Sequence, residues 1–150
     1  MASEWWFYHL DRPPLAAALA PLFEKCLERD WRVLVVSPSQ EVLDEIDKDL
    51  WTFRDDSFLP HGRDIGQAEL QPVLLSSGSQ NQNDAKVLVL LNGEGHEPEA
   101  DFERVMVVFE DGDTHARGEA RRQYAAARKA GLSVRYFQQT GQGGWKENKA

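Results

Sequence analysis

Two continuous apolar runs set the narrowest limits on how this chain can fold. Residues 31–36 (WRVLVV) and 105–109 (VMVVF) are rich in β-branched side chains and lack polar alternation. Such runs form strands covered on both faces, because a strand with one wet face alternates in polarity. Residues 4–10 (EWWFYHL), 73–75, 87–91 and 134–137 add further candidate strands, and Asp11, Arg12, Pro13 and Pro14 stop the first of them.

Between the strands the period changes. Leu15, Leu19, Leu22, Phe23, Cys26 and Leu27 recur at helical spacing through about Arg29, with Pro21 expected to kink that helix or mark its true start. Ser39 is a candidate N-cap for a second helix carrying Val42, Leu43, Ile46 and Leu50. A third helix is expected from about Thr114 to Ala130, with Gly131 as its stop. Strands alternating with helices imply an α/β fold, a mostly parallel sheet with helices on both faces. Residues 51–72 hold Pro60, Gly62, Gly66 and Pro72 and no sustained period, which predicts a long loop with short local structure in it. Residues 76–84 (SSGSQNQND) read as a mobile polar connector, and a flexible tail is expected from about residue 140.

The 150 residues, 41% hydrophobic, suit one compact domain over 1–150. No run of about 18 to 20 apolar residues and no signal-peptide pattern is visible, so a cytoplasmic protein without membrane contact is expected. The one cysteine, Cys26, reads as a buried core thiol. Net charge is −8, which argues against broad nucleic-acid binding, because an acidic surface repels phosphate and forfeits counterion release. The charge is nevertheless divided. Residues 1–116 carry 9 Lys and Arg against 23 Asp and Glu, whereas residues 117–150 carry 8 against 2. A local basic site on an acidic protein suits a discrete acidic ligand better than a long phosphate backbone.

No cofactor or metal is expected. The first strand–helix turn has no glycine to admit a pyrophosphate, and neither a P-loop nor a Gly-x-Ser-x-Gly elbow occurs. His9, His61, His96 and His115 lack metal-ligand spacing. His61 beside Pro60 could serve a small α/β hydrolase or a nucleotide-binding enzyme, but as a loop histidine it more simply fixes a turn.

The third helix carries the most distinctive pattern. Spacings of four, three and four put Arg117, Arg121, Tyr124 and Arg128 on one face, while Ala116, Ala120, Ala127 and Ala130 form another. The small face can pack closely on a sheet. The other face offers guanidinium forks beside an aromatic ring, suited to a carboxylate next to an apolar group. A solvated basic face that complements the helix dipole fits the same spacing.

Several segments in order resemble the chi subunit of DNA polymerase III. They are Phe7-Tyr8-His9-Leu10, Arg32-Val33-Leu34-Val35, Leu50-Trp51-Thr52-Phe53 leading to Ser57-Phe58-Leu59-Pro60-His61-Gly62, Gln71-Pro72-Val73-Leu74-Leu75, and Ala120-Arg121 to Tyr124 with Lys129-Ala130-Gly131. The resemblance implies a Rossmann-like three-layer sandwich without a nucleotide. It also implies a non-catalytic accessory subunit of the polymerase III holoenzyme in DNA replication, touching DNA only indirectly. Its partners would be the acidic C-terminal tail of single-stranded DNA-binding protein and, on another surface, the clamp-loader psi subunit or a helicase. Carried over residue by residue, the tail site comprises Val108, Arg121 and Tyr124. Arg121 would grip the terminal carboxylate, Tyr124 and Val108 would wall an apolar socket, and Arg117, Arg128 and Lys129 would attract upstream acids. Ala125 stands where some relatives carry a basic residue. The second-partner surface would include Trp51 and Phe58; Trp51, next to a helix end, is expected to pin the loop to the core, and Phe58 to lie exposed.

Overall fold

The computed structural model describes residues 4–11, 15–52, 60–63, 67–78, 80–93, 102–140 and 145–147. In chain order the elements are β1 (Glu4–Leu10), α1 (Leu15–Glu28), β2 (Val33–Val36), α2 (Gln40–Thr52), β3 (His61–Arg63), β4 (Val73–Ser76), β5 (Val87–Leu91), β6 (Arg104–Glu110), α3 (Thr114–Lys129), β7 (Ser133–Gln139) and β8 (Trp145–Glu147). The strands form one sheet ordered β3-β4-β2-β5-β6-β1-β7-β8. Every neighbouring pair is parallel except β7 and β8.

The apolar runs explain the centre of this sheet. All residues of β2, β4 and β5 are buried, and their side chains alternate between two cores. On one face Val33, Val35, Val73, Val87, Met106 and Val108 meet Leu19, Phe23 and Cys26 of α1 and Leu43, Ile46 and Leu50 of α2. On the other face Phe7, Val105, Val107 and Phe109 meet Ala116, Ala120 and Ala127 of α3. The small side chains of α3 let its backbone lie close over β6, β1 and β7, as their spacing predicts. Ala130, assigned to the same face, is instead exposed, because it is the C-cap.

Local signals placed the helix ends well. Ser39 Oγ accepts from Val42 N at 3.2 Å, and Asp113 accepts from Ala116 N at 3.0 Å, so each caps a helix start. The C-terminus of α3 closes with Leu132 N donating to Ala127 O and Gly131 N to Arg128 O, both at 3.0 Å. Gly131 sits at φ 78°, where a side chain is strained. Asp30, at φ 59°, closes α1 in the same way, with Trp31 N bonded to Cys26 O. Pro21 lies within α1 and does not mark its start.

Three expectations need correction. His61, expected on a loop, is a buried residue of strand β3, which with a short 3-10 turn, Ala68–Leu70, makes the local structure of that long stretch. The connector thought to be mobile is anchored at its far end, where Asn83 Nδ2 donates to Val33 O and Gln71 O at 3.0 and 2.9 Å. In the tail, residues 145–147 pair with β7: Trp145 packs edge-on against Tyr8, centroids 5.0 Å apart, and Glu147 takes two bonds from Arg135. Cys26 is buried as expected, and burial pushes its thiol pKa up. Among the described residues no helix is long and apolar enough to cross a membrane.

Candidate functional site

In parallel α/β sheets ligands gather outside the carboxyl ends of strands. Here β1 and β6 end side by side beneath the N-terminal half of α3, and a basin of about 360 Å³ opens between them. Phe7 and His9 of β1, Phe109 of β6 and Tyr136 of β7 form its floor, while Arg117, Ala120, Arg121 and Tyr124 of α3 form its rim. Residues 7 and 9 share a face because strand side chains alternate, and the register sets His9 beside Phe109 and Phe7 beside Tyr136. Tyr124 meets Phe7 edge-on with centroids 5.3 Å apart, and His9 stacks on Phe109 at 4.9 Å.

The rim is cationic. Among the described residues Arg121 makes no hydrogen bond or ion pair, and Arg117 reaches only the Asp111 carbonyl, at 3.5 Å. Other basic groups of this region are engaged elsewhere: Arg122 pairs with Glu119, whose carboxyl is held below its ordinary pKa by that bond, and Arg135 pairs with Glu147. A largely apolar hollow with the unengaged guanidinium of Arg121 at its lip, beside that of Arg117, can hold an apolar side chain that carries a carboxylate.

Comparison with known proteins places the chain in a family. Residues 2–135 match the family model described as DNA polymerase III chi subunit, HolC. The chain belongs to the DNA polymerase III chi subunit family. A probable DNA polymerase III subunit chi from Rickettsia prowazekii (strain Madrid E) is 29% identical over 91 residues, covering 60% of this chain. The match spans about half of that relative's length, 55%.

Of the residues that the chi resemblance singled out, Arg117, Arg121 and Tyr124 line the basin together. Arg128 sits one turn further along α3 with its guanidinium 5.9 Å from the Tyr124 ring, outside the lining, and Lys129 is exposed in the last turn. Val108 is not in the basin. Its side chain belongs to the core on the α1 and α2 face, because the neighbouring Phe109 takes the face toward α3. The apolar wall assigned to Val108 is therefore made by Phe109, Phe7 and Tyr136. Sequence reasoning missed these three residues and His9. The alternation of Phe7 and His9 along β1 was the available signal; with β6 buried on both sides, nothing in its composition told which parity faces α3.

Trp51 and His61 lie far along the sheet order, at the β3 edge. Trp51 is 51% exposed and leans on the His61 ring, centroids 4.5 Å apart, so it does not pin a loop into the core. His61 Nε2 lies 3.0 Å from both the carbonyl oxygen and Oδ1 of Asp47, tying β3 to α2. Phe58 falls outside the described residues. Among the described residues no cluster of His, Cys, Asp or Glu could hold a metal ion.

Proposed function

We propose that this chain is a non-catalytic adaptor that joins the clamp loader of the polymerase III holoenzyme to the acidic C-terminal tail of single-stranded DNA-binding protein. The observation that carries this is the unengaged Arg121 guanidinium at the lip of an aromatic basin. A tail that ends in an apolar residue with a free carboxylate supplies both the side chain that such a hollow desolvates and the anion that the fork grips. Arg117 would add to that grip, and Arg128 and Lys129 would draw in the acidic residues upstream.

In this reading residues 1–150 act as a single Rossmann-like three-layer sandwich in the cytoplasm, and the sheet serves as a rigid partition between two partner surfaces. The tail binds on the α3 face. The psi subunit or a helicase would use the opposite end of the sheet, where Trp51 is exposed and Phe58 follows in sequence. DNA would be reached only through these partners.

The test is a titration of the whole protein with an acidic synthetic peptide ending in phenylalanine, once with a free C-terminus and once amidated. The free peptide should bind and the amide should bind at least tenfold more weakly. Equal affinity would remove the carboxylate from the mechanism. A thermal-shift screen with nucleotides addresses the enzyme alternative built on His61, since a ligand at 100 times its dissociation constant adds about 2.7 kcal/mol.

A further inference from the structure

Two side chains of the basin floor, His9 of β1 and Tyr136 of β7, form one hydrogen-bonded line with Asp111 in the turn after β6. His9 Nε2 lies 2.7 Å from Asp111 Oδ1, and His9 Nδ1 lies 2.8 Å from the Tyr136 hydroxyl. An ionised carboxylate only accepts, so Nε2 carries a proton and donates to Asp111. In the neutral imidazole Nδ1 is then a bare lone pair, and the Tyr136 hydroxyl must donate to it. In that state the tyrosine oxygen turns lone pairs toward the basin, which repel an arriving carboxylate. In the imidazolium both nitrogens donate. The tyrosine oxygen then accepts from Nδ1, and its O–H is released to donate elsewhere.

We propose that Tyr136 is a second donor to the ligand's carboxylate, switched from acceptor to donor by His9, so that capture of the tail draws one proton onto the imidazole. This rests on the carboxylate-binding reading given above and names the regulation of that same site. The balance is simple: one proton passes from solvent to Nδ1, the hydroxyl rotates and keeps its own proton, and no covalent bond forms.

The surroundings of His9 suit this coupling. Asp111, in the turn after β6, faces Nε2; Arg117 and Arg121 line the basin from α3; Tyr136 contributes from β7 and the Phe109 ring covers one face. Asp11 follows directly after β1, two residues on from His9, and Glu110 comes next after Phe109 on β6. A bound carboxylate offsets the two arginine charges, so ligand and proton favour each other. Burial raises the pKa of the Tyr136 hydroxyl, with Arg117 and Arg121 acting against it, so the group stays protonated and able to donate.

The experiment is calorimetric titration between pH 6 and 8 with an N-acetylated peptide of four aspartates and a terminal phenylalanine, whose carboxylates are all ionised there. Affinity should weaken by roughly tenfold as pH rises, the worth of one hydrogen bond to a charged group. Buffers of different ionisation heat should report proton uptake on binding. Tyr136→Phe, which keeps the ring packing, should bind across the range as wild type binds at pH 8, and His9→Gln should flatten the profile. An unchanged pH slope in Tyr136→Phe, or pH-independent binding by wild type, overturns the switch while leaving the carboxylate site intact. Undiminished binding by Arg121→Ala would instead remove the site itself.

Discussion

The Tyr124 ring meets the Phe7 ring edge-on at 5.3 Å, which fixes the aromatic rim of α3 to the interior strand β1. This contact makes Tyr124 part of the rigid frame as well as a surface for the ligand. Tyr124→Ala should weaken peptide binding by about 2 kcal/mol, roughly thirtyfold, as loss of a buried aromatic anchor does. Tyr124→Phe keeps the ring and should stay within about threefold of wild type. Fluorescence anisotropy with a labelled acidic peptide separates the two. A phenylalanine variant as weak as the alanine one would mean that the hydroxyl carries the effect.

Val108 and Phe109 are neighbours on opposite faces of β6, and this yields a paired prediction. Val108→Ala removes buried methyl groups from the α1 and α2 core and should lower folding stability by about 2 kcal/mol. Its peptide affinity should not change. Phe109→Leu conserves most of the volume, costs less than about 1.5 kcal/mol, and strips the ring from beneath His9. Here peptide affinity should fall by severalfold. Urea melts alongside peptide titrations check both, and the reverse pattern would move the socket to the other face.

How much of this was legible beforehand differed by element. The strands declared themselves where both faces are buried, as in β2 and β6, because continuous apolar runs leave few alternatives. The caps at Ser39 and Gly131 were equally plain, since each depends on one residue's own chemistry. Strand β3 was hidden because His61-Gly62-Arg63 has no apolar signature; its place at the edge comes from pairing with β4 and from the bond to Asp47. Strand β8 was hidden likewise, for Trp145-Lys146-Glu147 is held by a cross-strand bond to Arg135 and by contact with Tyr8. In the basin the α3 half followed from helical spacing. The floor did not, because residues 7, 9, 109 and 136 are joined only by sheet order and register.

The cap of α3 bears on the site because it sets where Arg117 and Arg121 begin. Asp113 accepts from Ala116 N, so Asp113→Ala should cost about 1 kcal/mol of stability. Asp113→Asn retains an acceptor and should recover most of it. Chemical denaturation measures the difference, and no change with alanine would mean that another group satisfies the first turn.

The decisive prediction concerns Arg121. Its guanidinium lacks an internal partner among the described residues, so removing it leaves no buried acid unpaired and should barely alter stability. Binding should respond strongly. Truncating one partner of a desolvated charge pair costs about 2 to 5 kcal/mol, so Arg121→Ala should weaken the acidic peptide by roughly thirtyfold or more. Arg121→Lys restores the charge without the planar fork and should recover only part of the loss. Amidating the peptide should reproduce the loss in wild type and add little in Arg121→Ala, because both changes remove one interaction. Full additivity of the two changes would show that Arg121 grips something other than the terminal carboxylate. If folded Arg121→Ala binds the free peptide as wild type does, the arginine stripe on α3 is a solvated helix face that complements the dipole, the alternative its spacing alone leaves open.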